Sequence, residues 1–195
     1  MGINISRNFE FLAGVYYEGE FMMNQYSVML TMDVNTGSIR EQNIAMDRMK
    51  YFIYEVLNSV VFVQATETKM IEKFQAAGMK VCTLPEEPYD QIITILLYYK
   101  LNAITENKLS VNNIQLDSVL SDGVGFMWGA EESLVGTPYS SGWWTENSVS
   151  INDKNTIGKK DKIVKLVKKS DWSSLGLDWK DKDFSHTEII FKPEA

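Results

Sequence analysis

The sequence predicts an α+β fold: an antiparallel four-stranded sheet carrying two long helices on one face, in the order ββααββ, followed by a C-terminal extension. Three observations predict it. Tyr26, Val28, Leu30, Met32 and Val34 alternate with Ser27, Met29, Thr31 and Asp33, the period of two that sends successive side chains to opposite faces of a strand. Met49, Phe52, Ile53, Val56, Leu57, Val60 and Val61 recur at spacings of three and four, the apolar stripe of a helix against a core. Ile92, Ile93, Leu96, Leu97, Leu101 and Ile104 repeat that stripe, interrupted by Lys100.

A first strand over 9–17 pairs with the alternating one across Glu18, Gly19 and Glu20. Asn35-Thr36-Gly37 turns the chain into the first helix. A short helix over 69–77 stops at Gly78, a residue that takes the left-handed cap conformation without steric cost. Residues 79–83 read as a brief strand. The stretch Ser110–Leu120 and the run Val124–Trp128 form a hairpin across Ser121-Asp122-Gly123. These elements make a core domain over 1–128. Residues 129–195 form an arm with a short basic helix over 159–169 and a final strand over 187–191.

Composition and charge exclude several function classes. The longest uninterrupted apolar run, Val60 to Val63, is far short of the roughly 20 residues of a membrane span. The N-terminal residues contain no apolar core of a secretory leader, so a cytoplasmic location is expected. Residues 1–150 carry 9 Lys+Arg against 18 Asp+Glu, and residues 151–195 carry 10 against 8. An acidic body repels a phosphate backbone, so nucleic acid is not an expected partner. One cysteine, Cys82, and one histidine, His186, leave no disulfide and no multi-ligand zinc site within the chain, and no metal or cofactor is expected. Neither phosphate-cradling glycine motif occurs.

The stretch Pro85-Glu86-Glu87-Pro88-Tyr89-Asp90 has two readings. Pro88 suits the first turn of a helix, and acids there complement the positive end of the helix dipole, each by roughly 0.3–1 kcal/mol. Alternatively, one carboxylate faces a pocket and accepts a pair of N–H donors from a planar heterocycle such as a guanine or pterin.

In pattern and element order, "YSVMLTMDVNTGSI" with its following helix, and "LPEEPYDQIITILLYYKL" followed by "VNNIQLDSVLSDGVGFMW", resemble the tunnelling fold of the 6-pyruvoyl-tetrahydropterin and 6-carboxy-tetrahydropterin synthases. The resemblance covers residues 9–128. It implies a homo-oligomer closed by sheet edges, with a ligand cleft between subunits in which an acid anchors the heterocycle. The candidates for that role are Glu86, Glu87 and, on the third strand, Asp117, with Ser118 as the alternative for the last. The departures are in the chemistry: the family's zinc histidines and catalytic Cys and Asp-His have no counterparts. Gly14–Tyr17 stand where metal ligands are wanted.

All five tryptophans follow residue 127, and the pair Trp143-Trp144 is expected to cover the body or dock on a neighbouring subunit. Two functions are therefore expected. One is a non-catalytic, oligomeric protein binding a purine-, pterin- or nucleotide-like ligand at a subunit interface. The alternative is a structural or assembly protein, of viral or mobile-element type, with no small-molecule ligand.

Overall fold

The computed structural model describes residues 3–131, 151–152, 172–173 and 175–179. It opens with a long hairpin, β1 (Ile3–Tyr17) and β2 (Glu20–Val34), paired antiparallel along their whole length across Glu18 and Gly19. Both strands run further than the sequence alternation marks, because Phe21-Met22-Met23 belongs to β2 and does not interrupt it. Phe9, Phe11, Ala13 and Val15 of β1 and Tyr26, Val28, Leu30 and Met32 of β2 face the main core and are buried.

The helix α1 (Ile39–Tyr51) starts at Ser38, whose hydroxyl accepts the Glu41 N–H, and runs into a π-helical turn, Phe52–Leu57. That turn closes with Asn58 N–H donating to the Ile53 carbonyl. The stripe Met49, Phe52, Ile53 and Leu57 is buried as expected, but the helix does not continue through Val60 and Val61. Ser59 turns the backbone with φ +65°, and Val60–Gln64 is a strand, β3. Val60 and Phe62 join the main core while Val61 and Val63 join a second cluster, so β3 is apolar on both faces. A continuous apolar run next to a helical stripe fits either period, which is why the sequence pattern alone extends the helix.

After β3 come α2 (Thr68–Ala76), β4 (Lys80–Leu84) and α3 (Asp90–Thr105). Gly78, at φ +76°, follows α2 in the expected cap position. The hairpin β5 (Leu109–Ser118) and β6 (Phe126–Gly129) completes the core, with Asp122 and Gly123 in the left-handed region at its turn. The strand order is β6-β5-β2-β1-β3-β4, with a two-residue strand, β7 (Ile151–Asn152), antiparallel to β4 at the far edge.

The expected sheet is therefore corrected. It is mixed rather than four-stranded antiparallel, because β3 runs parallel to β1 and β4 parallel to β3. The β3-α2-β4 unit widens the sheet beyond β1, and its helix lies on the opposite face from α1 and α3. There Phe74 packs edge-on to Tyr16 at 5.8 Å. The two long helices do share one face, over a core that includes Met49, Ile53, Ile93 and Leu97.

Residues 172–173 and 175–179 lie on the helical side. Arg48, fully buried on α1, lies between the rings of Trp172 and Trp179, with its guanidinium carbon 4.7 and 3.8 Å from their centroids. It donates to the carbonyls of Leu177 and Ile104 and to Glu106. Trp143, Trp144, His186 and the lysine-rich run at 159–169 lie outside the described residues. Among the described residues, no helix is long and apolar enough to cross a membrane.

Candidate functional site

A cleft of about 410 Å³ opens where the β1–β2 hairpin, the start of α3 and the β5–β6 connection meet. Tyr17, Tyr89 and Phe126 give it aromatic walls, and Asn24, Asp90, Gln91 and Ser121 supply its polar side chains. The walls come from local pattern. Tyr17 ends the first strand, and Phe126 begins β6 just past the Asp122-Gly123 turn. Tyr89 is the N-cap residue of α3 and Asp90 its first helical residue, so Pro88 lies just before the cap, two positions short of the first turn expected for it.

Tyr89 in the N-cap role offers no side-chain acceptor to the helix, and Asp90 is the one acid in the first turn. The Asp90 carboxylate accepts a hydrogen bond from Ser118 Oγ at 2.6 Å through Oδ2. Burial is the main influence on its acidity and pushes its pKa up; the Ser118 hydroxyl works in the other direction. Asn24, only 3% exposed, accepts the Leu120 N–H through Oδ1 at 3.1 Å and so ties the β5–β6 connection to the hairpin. Behind these two residues, Tyr26 is fully buried and stacked on Phe11 at 4.9 Å. Burial, then the charge of Asp90, raises the pKa of its hydroxyl against the opposing influence of Asn24, so it stays protonated.

The rim is acidic. Tyr89 donates its hydroxyl hydrogen bond to Glu87 Oε2, and Tyr17 donates to Glu18 Oε1 at 2.9 Å. The two tyrosine rings meet edge to face at 5.4 Å. The bond to Glu87, foremost, raises the pKa of the Tyr89 phenol.

The residues singled out in the sequence are thus separated. Glu87 reaches the rim through Tyr89, whereas Glu86 stands upstream of the α3 cap and does not line the cleft. Asp117 accepts from Gln115 Nε2 at 3.0 Å. A bulge decides its direction: pairing with β2 jumps from Asn113 to Val111 opposite Thr31 and Met32, leaving Asn112 as the extra residue. Leu109 and Val111 before the bulge, and Ile114 and Leu116 after it, all face the core. Ser118 follows on that helical face and meets Asp90, while Asp117 points to the opposite face of the sheet. The sequence reading missed Tyr17 and Phe126, which stand at strand ends, and Asn24, inside β2, and it left Asp90 out of the ligand candidates, reading it only as an acid at a helix start.

The chain does not fit a family-type zinc centre: it has one histidine, and no group of three metal-ligating residue types occurs among the described residues. Cys82 is fully buried in the core on β4, where burial pushes its thiol up to about 12. The cleft residues can accept and donate hydrogen bonds around a planar guest.

No protein-family model matches the chain, and no curated protein matches it in sequence. Among solved structures it is similar to an uncharacterized protein, WS1659, from Wolinella succinogenes. The TM-score is 0.51 and the identity 12%, over 67% of this chain and 99% of that one. Two structures of 6-pyruvoyl tetrahydropterin synthase also align. That from Caenorhabditis elegans does so with a TM-score of 0.42 and 12% identity, over 67% of this chain and 97% of that one. That from Plasmodium vivax gives 0.43 and 11%, over 66% and 97%. Identity this low makes the likeness one of fold. The chain has the tunnelling fold in a divergent form, without the histidines of a zinc site.

Proposed function

We propose that the protein is an oligomeric, non-catalytic tunnelling-fold protein whose cleft binds a planar heterocycle of the purine or pterin class. The observation that carries this reading is Asp90: a half-buried carboxylate with one oxygen held by Ser118, at the base of a cleft walled by tyrosine and phenylalanine. Its second oxygen is available to accept ring or amino N–H donors, while aromatic walls suit the faces of the ring. Glu87 contributes to the rim through Tyr89, and Asp117, on the other sheet face, meets a guest only where a second copy completes the cleft. The test is calorimetric titration with guanine, guanosine and pterin, supported by thermal shift. Binding is expected for the wild-type protein and loss of binding for Asp90→Asn. If no heterocycle binds at millimolar concentration, or the substituted protein binds equally well, the reading fails.

Oligomerisation through sheet edges and the open sheet face is supported by separate features. β3 pairs with β1 only over Gly14–Tyr16, so the first half of β1 presents an edge with no described neighbour beyond β2. Leu12, Met23, Met29 and Met127 stand exposed on the face away from α1 and α3. These features equally favour the second reading, an assembly protein without a ligand, in which Trp143 and Trp144 reinforce subunit contacts. Light scattering decides whether the protein associates: a species of 22.3 kDa removes the oligomer from both readings.

A further inference from the structure

We infer that the cleft takes its heterocycle as the free base, nucleoside or other unphosphorylated form, and rejects the phosphorylated one. The inference rests on the heterocycle reading above and concerns which members of that class are bound.

Size does not make the distinction. A cleft of about 410 Å³ falls within the roughly 300–1,000 Å³ typical of small-molecule sites, with room beyond a bicyclic ring. Charge does. Among the described residues lining the cleft there is no lysine, arginine or histidine. Its base carries Asp90, and its rim carries Glu87 and Glu18. The two rim acids are positioned, since the hydroxyls of Tyr89 and Tyr17 donate to them and the two rings brace each other. The acidity of Asp90 is consistent with this picture: burial dominates it, and no cation is among the influences on it.

Among the described residues, the one positive feature at the cleft is the start of α3, where no side chain caps the first turn. A helix end of that kind is equivalent to about half a positive charge and is a recognised attractor of phosphate. Here Asp90 already occupies the first turn. Glu87 stands three residues before it, and Glu18 faces it across the tyrosine pair. Up to three carboxylates therefore oppose half a charge, and the balance repels a dianion while leaving a neutral or cationic ring free to enter. An N–H-rich ring edge profits from the same field.

The experiment uses the full chain and two matched pairs: guanosine with its 5′-monophosphate, and 6-hydroxymethylpterin with its phosphate. Each is titrated calorimetrically at low and at high salt. The unphosphorylated member of a pair is expected to bind about tenfold or more tightly at low salt, because like charges brought together disfavour the wrong partner. The gap is expected to narrow at high salt, where exposed charges are screened. The double substitution Glu18→Gln/Glu87→Gln removes two rim charges and is expected to narrow it at low salt as well. Equal or tighter binding of a phosphorylated member overturns the inference while leaving the heterocycle reading intact. A gap that responds to neither salt nor the double substitution also overturns it, since discrimination is then steric. Failure of all four compounds to bind overturns the heterocycle reading itself.

Discussion

Arg48 offers the sharpest test of how the C-terminal stretch is joined to the body. The perturbation is Arg48→Ala. It removes a fully buried guanidinium held between two indole rings and bonded to two backbone carbonyls and one carboxylate. Each carbonyl left without a partner costs about 1–3 kcal/mol. The lost cation–ring contacts, desolvated here, cost about 2 kcal/mol or more. Against this gross loss stands the relief of burying a charge, several kcal/mol, made larger because Nη2 has no partner. The net expectation is a loss of about 2–4 kcal/mol, which for a chain of this size lowers Tm by roughly 5–15 °C. Chemical and thermal denaturation followed by tryptophan emission measure it, with red-shifted emission expected in the native baseline as the rings of Trp172 and Trp179 loosen. Arg48→Lys is expected to recover little, because an ammonium cannot stack flat between rings or fork to two acceptors. Glu106→Gln is expected to cost less than about 1 kcal/mol, since the Glu106 side chain is 40% exposed. If Arg48→Ala costs under about 1 kcal/mol, or no more than Glu106→Gln, the ring sandwich contributes nothing beyond a surface ion pair and the reasoning is refuted.

Two further predictions concern buried charge. The raised pKa of Asp90 means that the folded state holds its proton where the unfolded chain has released it. Its contribution to stability is therefore full below the ordinary carboxylate range and lost as pH rises through the folded value. Asp90→Asn is expected to raise Tm at pH 7 and to flatten the pH profile across that window; an unchanged profile refutes the assignment. Lys100 interrupts the α3 stripe and is 7% exposed, with burial lowering its pKa. Its folded pKa lies below the unfolded one, so stability is expected to rise with pH between the folded value and the ordinary lysine range. Lys100→Met is expected to be neutral or stabilising by up to about 3 kcal/mol in urea denaturation. A loss above 1 kcal/mol means that the ammonium has a favourable role.

How much of this was legible follows from particular residues. The period-two run in β2 and the stripe on α3 each fit one kind of element, because alternation and 3.6-residue spacing do not overlap over nine or more positions. Val60–Val63 fitted two, and only pairing with β1 and β4 resolves them as a strand buried on both faces. Among the acids, the motif around Pro88 marked the right loop. Separating Glu86, Glu87 and Asp90 required the cap position of Tyr89 and the hydroxyl of Ser118, contacts between residues 28 positions apart in the chain.

The sequence by itself determined the tunnelling-type order of elements, the faces that are apolar and the absence of a three-histidine metal set, since composition and periodicity are properties of the chain alone. Tertiary structure decided the widened mixed sheet, the burial of Arg48 beneath two distant tryptophans and which acid lies in the cleft. The physical reason is register. One extra residue at Asn112 reverses which side chains of β5 face inward, turning Ser118 toward Asp90 and Asp117 away. A bulge of that kind is fixed by pairing between strands and leaves no mark on hydrophobic spacing that can be read before the partner strand is known.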